Sequence, residues 1–180
     1  MEKSSNRVTT MTLQIRPLTK EAFAPFGDVI SVRENDHFLI NNGSTERYHD
    51  LAKVQLLNGG RALINIFRAT PLTYPLKITM VERHPLGSQA FVPMSGLPYL
   101  VVVAPAGEDV NSADLQAFYA DRDQGINYHA GTWHHPVLAL HEISDFLVVD
   151  RGGDGENCDE WFFEEQDDIT LGQSVDDFIW

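Results

Sequence analysis

The chain is divided into many short stretches that favour β-strands, and turn signals separate these stretches at close spacing. Dipeptides that favour tight turns, such as Asn42-Gly43 and Gly152-Gly153, lie between them. Short strands at this spacing are typical of a β-sandwich or a small β-barrel. The sequence therefore predicts a mainly β fold. The strand candidates are residues 13–16, 53–57, 62–68, 76–83, 99–104, 115–120, 137–143 and 146–150.

A short helix is expected after the first strand candidate. Thr19 can cap a helix over residues 20–26, and Glu21 lies in its first turn. Pro25 shortens this helix and Gly27 ends it. We therefore expect one or two short helices in the fold.

The length and charge of the chain limit its partners. At 180 residues it can form one domain whose core is large enough to fold without disulfides or a structural metal. Its 26 acidic residues outnumber its 13 Lys and Arg residues, which gives a net charge of −13. Negative charge disfavours contact with nucleic acid and with anionic membranes. We therefore expect a small-molecule ligand, with neither nucleic acid nor membrane as a partner.

The composition along the chain predicts one domain over residues 13–165. A flexible extension is expected over residues 1–12, and an acidic tail over residues 166–180, where Lys and Arg are absent.

Cys158 is the single cysteine, so an intrachain disulfide is excluded and a cytoplasmic location is expected. No apolar run is long enough to cross a bilayer.

The strand candidate at residues 76–83 ends beside two groups that titrate. Side chains alternate between the faces of a strand, so Glu82 and His84 share the face of Leu76, Ile78 and Met80. This alternation predicts that both groups lie at the mouth of a barrel.

Two segments, residues 82–96 and 125–136, resemble the two motifs of the cupin β-barrel, also called the double-stranded β-helix. The matching positions are Glu82, His84, Gln89, Pro93 and Gly96 in the first motif, and Gly125, Gly131 and His134 in the second. The resemblance implies a cupin-like β-barrel. Two ligand types differ from the usual motif, because Glu82 replaces a His and Gln89 replaces a Glu.

These motif residues leave two kinds of site open. Glu82, His84 and His134 can form a two-His-one-carboxylate set around a divalent metal ion. Gln89 would then orient a bound group, since an amide oxygen is a weak metal ligand. Without a metal, the same residues would hydrogen-bond a small polar ligand directly.

Longer stretches are similar to the ureidoglycolate lyase family. They are residues 38–51, 82–93, 125–136 and 145–158, within a resemblance that runs from about residue 13 to residue 158. The resemblance implies cleavage of (S)-ureidoglycolate to glyoxylate and urea in allantoin degradation, a part of purine metabolism. It also implies a cytoplasmic homodimer with nickel as the metal, and neither a nucleotide nor an organic cofactor.

That reaction requires a base for the substrate hydroxyl, an acid for the departing nitrogen and a positive or donor group for the carboxylate. His84, His134 and Glu82 are the catalytic candidates, either directly or as metal ligands. For the carboxylate we favour Arg68 over Lys77, since Lys77 is expected to point away from Glu82.

Polar residues nearby are the remaining candidates for substrate binding. Gln89 and Asn65 can bind the urea amide, and Tyr128 or His129 can donate a proton to the leaving nitrogen. On a regular strand Asn65 and Arg68 point to opposite faces, so only one of them can enter the interior. His135 is expected to make a structural hydrogen bond.

Two other functions remain open on the residues alone. One is a ureidoglycolate hydrolase, which would release ammonia from the same substrate. The other is a non-catalytic cupin that binds a small organic acid. The family resemblance favours release of urea over both.

Overall fold

The computed structural model describes residues 10–172, in which β-strands predominate and confirm the mainly β prediction. The strands are β1 (Met11–Leu13), β2 (Ile15–Pro17), β3 (Gly27–Ile30), β4 (Phe38–Ile40), β5 (Thr45–Arg47), β6 (Arg61–Ala69), β7 (Leu76–Lys77), β8 (Met80–Arg83), β9 (Gln89–Pro93), β10 (Tyr99–Ala104), β11 (Gln116–Ala120), β12 (Gly125–Tyr128), β13 (Trp133–His134), β14 (Leu138–Ala139), β15 (Ser144–Gly152), β16 (Asp159–Phe162) and β17 (Ile169–Leu171). The helical elements are α1 (Lys20–Phe23) and the 3₁₀ turns Asn41–Gly43, Ser112–Asp114 and Glu165–Asp167. In this part of the chain we find no helix with the length and apolar character needed to span a bilayer.

Two large sheets form most of the fold. One has seven strands in the order β16-β8-β13-β10-β11-β2, with β14 beside β10, and the other has five in the order β3-β12-β9-β15-β6. A three-stranded sheet, β1-β17-β7, and the hairpin β4-β5 complete the arrangement. This architecture is consistent with the cupin-like fold that the motifs implied.

Strand β10 is buried along its whole length, because its two faces contribute to two different cores. A strand covered on both faces needs a continuous apolar run, which is what the sequence of β10 provides. The core toward the five-stranded sheet includes Tyr99, Val101, Val103, Phe91, Ile126 and Phe146, and the core toward the three-stranded sheet includes Leu100, Val102, Leu13, Ile169 and Leu171.

The predicted helix forms with its predicted cap. The Oγ1 atom of Thr19 accepts a hydrogen bond from the backbone N–H of Ala22 at 3.1 Å. The helix ends at Phe23, earlier than the predicted residue 26. Pro25 explains the difference, because it has no backbone N–H to continue the helical hydrogen-bond pattern.

The strand predicted at residues 76–83 is split into β7 and β8. Strand β7 pairs with β17, whereas β8 pairs with β13 and β16 in the seven-stranded sheet. Because the chain changes sheets, Ile78 and Val81 are both buried, and the simple alternation predicted over this stretch is wrong. Glu82 and His84 lie beyond the break.

Two other strand predictions are also corrected. Residues 53–57 make a single isolated bridge, Leu56 to Gly87, because the N–H groups of Lys53 and Gln55 bind side chains of other segments. The predicted strand 137–143 shortens to β14, since His141 adopts a positive φ of 67°.

The folded unit extends beyond residues 13–165 at both ends. Met11 pairs with Ile169 and Leu13 with Leu171 in the parallel pair β1-β17. Residues 11–12 are therefore not an extension and residues 169–171 are not a tail. The short stretch of β17 has both its apolar side chains buried, although acidic residues precede it. The net charge of the segment does not reveal such a buried strand. Residues 1–9 of the predicted extension and residues 173–180 of the predicted tail lie outside the described residues.

The aromatic contacts of Phe118 make it a test of the core. Its side chain is fully buried and its ring contacts those of Phe23 and Phe26 edge-on, at 5.8 and 6.1 Å between centroids. Phe118→Ala is expected to lower the free energy of unfolding by about 3–5 kcal/mol, since it leaves a cavity. Chemical denaturation measures the change. The exposed Phe162, replaced by Ala, is the control and should change it by less than about 0.5 kcal/mol. Equal effects of the two substitutions would contradict this core.

Candidate active site

Glu82, His84 and His134 meet in one cluster, as their motif positions predicted. Strand pairing brings them together, because β13 places His134 directly opposite Glu82 of β8. The Nε2 atoms of His134 and His84 lie 3.6 and 3.8 Å from Oε1 of Glu82. The ligand atoms of all three residues lie within 4.8 Å of one another, which suits a shared ion or a small ligand group.

Backbone carbonyls fix the orientation of both histidine rings. Nδ1 of His84 lies 2.7 Å from the carbonyl oxygen of Asn157, and Nδ1 of His134 lies 2.9 Å from that of Thr132. A carbonyl oxygen only accepts, so each Nδ1 carries a proton, and in a neutral ring Nε2 then presents a lone pair. Both Nε2 atoms are buried and have no hydrogen-bond partner among the described residues.

The charges in the cluster favour binding of a hydrogen-bond donor or a cation. Burial lowers the pKa of His134, so its ring is neutral near pH 7. Glu82 is an anion near pH 7, as an ordinary carboxyl group is. Two imidazole lone pairs and a carboxylate therefore face one another. This donor set fits a divalent metal ion, whose neutral imidazole ligands commonly donate their other N–H to a backbone carbonyl.

Tyr128 connects this cluster to the five-stranded sheet. Its ring stacks on His134 with the centroids 4.1 Å apart and the planes at 10°. Burial raises the pKa of Tyr128 far above its usual value, so the hydroxyl keeps its proton. In the sheet, Tyr128 of β12 is directly opposite Gln89 of β9. The structure thus places Tyr128 against the cluster of Glu82, His84 and His134, and Gln89 beside Tyr128.

Gln89 and Asn65 both bind Asp150, a residue that the sequence did not single out. The side-chain amide of Asn65 donates to Oδ1 of Asp150 at 3.0 Å, and that of Gln89 donates to Oδ2 at 3.3 Å. Asp150 follows Phe146 and Val148 at two-residue spacing on β15, and these two residues are buried in the core. The same spacing in the sequence would have indicated that Asp150 points inward.

The sequence left open whether Asn65 or Arg68 enters the interior, and the structure turns Arg68, the residue favoured for the substrate carboxylate, outward. Its guanidinium forms two hydrogen bonds with Asp145, at 2.8 and 2.9 Å, and its side chain is 72% exposed. Arg68 shares the outer face of β6 with Ile64 and Ile66, which are also exposed. Asn65 occupies the opposite face, as the alternation of side chains requires.

Other cations and histidines considered from the sequence have separate partners. Lys77 lies 3.5 Å from Asp168. His129, a predicted proton donor, directs Nε2 to Asp28 at 3.1 Å. His135 makes the expected structural contact, with Nδ1 2.8 Å from the carbonyl oxygen of Pro136.

Comparison with known proteins identifies a family. The family described as "Ureidoglycolate lyase" matches residues 10–170. A protein named ureidoglycolate lyase from Pseudomonas fluorescens (strain SBW25) is 58% identical over 161 residues, which cover 89% of this chain and 96% of that protein. Proteins of the same name from Pseudomonas syringae pv. tomato and Pseudomonas aeruginosa (strain LESB58) are 57% identical, over 89% of this chain and 95% of each relative.

The cluster predicts that the chain binds a divalent metal ion directly. We expect chelator-treated protein to bind one such ion per chain in isothermal titration calorimetry. Glu82→Gln and His134→Ala should each weaken binding by at least about tenfold, because each removes a ligand. His135→Ala is the matched control and should bind as the wild type does. Absence of binding by the wild type, or equal binding by all variants, would contradict the metal site.

Proposed function

The chain belongs to the ureidoglycolate lyase family, and we propose that it cleaves (S)-ureidoglycolate to glyoxylate and urea in allantoin degradation. Membership of the family supplies the reaction. The structural observation that supports it best is the convergence of Glu82, His84 and His134 beside Tyr128, which lies opposite Gln89 in the sheet. The single Cys158, a free thiol, suits a reducing cytoplasm, where we place the reaction.

The substrate determines what the pocket must do. Its central carbon bears a carboxylate, a hydroxyl group and a ureido nitrogen. When the C–N bond breaks, the hydroxyl oxygen loses a proton and becomes the aldehyde oxygen of glyoxylate. The nitrogen keeps the bonding electron pair, gains a proton and leaves as urea. The reaction therefore needs proton transfer at two atoms and no oxidant.

Glu82, His84 and His134 are the residues that would hold a divalent metal ion, and the family resemblance suggests nickel. When bound there, such an ion would lower the pKa of the substrate hydroxyl and attract the carboxylate. The histidines keep their Nε2 lone pairs available because backbone carbonyls hold both Nδ1 protons. Tyr128 holds the His134 ring by stacking and keeps a hydroxyl proton to donate.

The position of Arg68 changes how the substrate carboxylate is bound. The sequence assigned this carboxylate to Arg68, whose guanidinium instead pairs with Asp145 on the outer face. The positive charge that an anionic substrate needs must then come from another group. A cation held by Glu82, His84 and His134 meets this need, and this supports the metal-dependent alternative over direct hydrogen bonding.

We also propose that the protein is a homodimer that pairs through β6. This strand is the edge of the five-stranded sheet and extends over nine residues, Arg61–Ala69. Its outer face carries Ile64 and Ile66, which are 75% and 54% exposed. A long edge strand with exposed isoleucines favours pairing with another strand of the same kind. A second copy related by a two-fold axis would supply that strand.

The proposed reaction predicts urea and glyoxylate in equal amounts from racemic ureidoglycolate. His134→Ala should lower kcat/KM at least about 100-fold, since it removes a base or a metal ligand. The neighbouring His135→Ala should retain activity. Urea, glyoxylate and ammonia are measured before and after chelation, and again with metal restored. Ammonia in place of urea would identify a hydrolase, and no product above the uncatalysed rate would favour the non-catalytic alternative.

The proposed dimer predicts twice the chain mass in light scattering coupled to gel filtration. The double substitution Ile64→Lys and Ile66→Lys should yield the monomer, because it places like charges at the centre of the pairing. Val32→Lys, an exposed position just after the opposite edge strand β3, is the control. A monomeric wild type would contradict the dimer. A dimer that withstands the double substitution would contradict this interface.

A further inference from the structure

We propose that Asp150 is a positioning residue that turns the amide oxygen of Gln89 into the pocket, where it accepts a hydrogen bond from the terminal NH₂ of a ureido group. The inference rests on the proposed function, and it concerns how the nitrogen end of the substrate is recognised. Asp150 acts through Gln89 and does not itself need to touch the substrate.

The sheet places Asp150 between the two amides. Strand β15, which carries Asp150, lies between β9 and β6 in the five-stranded sheet. Gln89 begins β9 and Asn65 is at the centre of β6. Each oxygen of the Asp150 carboxylate accepts a hydrogen bond from one of these amides, at 3.0 Å from Asn65 and 3.3 Å from Gln89.

The chemistry of a carboxylate fixes which way the amides face. An ionised carboxylate accepts and cannot donate, so each amide must turn its NH₂ group toward Asp150. The oxygen of Gln89 is then directed elsewhere. It is buried and lacks a hydrogen-bond partner in the described part of the chain. A buried acceptor without a partner is costly, and a ligand N–H at this point would satisfy it.

The location of Gln89 relative to the cluster of Glu82, His84 and His134 matches the two ends of the substrate. Gln89 is directly opposite Tyr128 across β9 and β12, and Tyr128 stacks on His134. The hydroxyl and carboxylate of ureidoglycolate suit the side of His134, whereas the ureido NH₂ suits the oxygen of Gln89. The negative charge of Asp150 opposes the reversed orientation, in which the substrate carboxylate would approach the amides.

Binding of unreactive analogues tests this inference without turnover. N-carbamoylglycine has the carboxylate and the ureido group but no hydroxyl, so it cannot be cleaved in the same way. N-acetylglycine has a methyl group in place of the terminal NH₂. Calorimetry with the metal-loaded protein should give at least about tenfold tighter binding of N-carbamoylglycine, because only this compound satisfies Gln89.

Substitution of Asp150 should remove that preference. In Asp150→Asn the new amide can donate to Gln89, which releases the Gln89 side chain to rotate and present NH₂ to the pocket. The two analogues should then bind within about twofold of each other, whatever the change in affinity that both share from the loss of a negative charge. Asp145→Asn, on the outer face of the same strand, is the matched control and should keep the wild-type preference.

A second variant covers the case in which Asp150→Asn fails to fold, as judged by thermal melting. Gln89→Leu retains Asp150 but removes the acceptor oxygen, and it should also lose the preference. The inference is overturned if the wild type shows no preference, or if a folded Asp150→Asn or Gln89→Leu protein keeps it. A wild type that prefers N-carbamoylglycine but releases no urea would refute the proposed reaction and leave the role of Asp150 standing.

Discussion

Burial of β10 on both faces is the constraint from which the site follows. All six residues of β10 are buried, so its neighbours must pair with it in one register. That pairing places His134 opposite Val103, and β13 in turn places His134 opposite Glu82. A shift of β13 by one residue would turn His134 to the other face and bring His135 or Trp133 to the cluster. The apolar strand β10 thus determines the positions of Glu82 and His134, although its own side chains take no part in the chemistry of the site.

Backbone carbonyls determine which ring nitrogen of each histidine carries a proton. His84, His134 and His135 all place Nδ1 within 2.9 Å of a carbonyl oxygen. His84 and His134 differ from His135 in where Nε2 points, since theirs converge on Glu82. The same local interaction therefore accompanies a structural role in one residue and a ligand geometry in the others. The convergence, and not the hydrogen bond itself, identifies the site.

The site residues that could be predicted are those whose positions follow from short spacings along the sequence. Glu82 and His84 lie two residues apart, and the motif spacing from Gly131 selects His134 over His135. The orientation of β6 could not be predicted in the same way, because Ile64 and Ile66 on one face and Phe67 on the other are all apolar. The burial of β17 depends on its pairing with β1, a contact between distant parts of the sequence. Asp150 shares the two-residue spacing of Phe146 and Val148, but it ends the strand candidate next to the Gly152-Gly153 turn, where an acidic residue is usually exposed to solvent.

The charges near the pocket link the binding of the substrate to the binding of a cation. Glu82 and Asp150 are carboxylates, and the proposed substrate contributes a third. Burial keeps His134 neutral, and Arg68 balances Asp145 on the outer face. An anion entering such a site is repelled unless positive charge enters with it. Cation and substrate must then raise each other's affinity by the same factor, because the coupling free energy is reciprocal. A site that bound the same substrate through hydrogen bonds alone would not need a cation, so coupling between cation and substrate separates the two alternatives that the residue types left open.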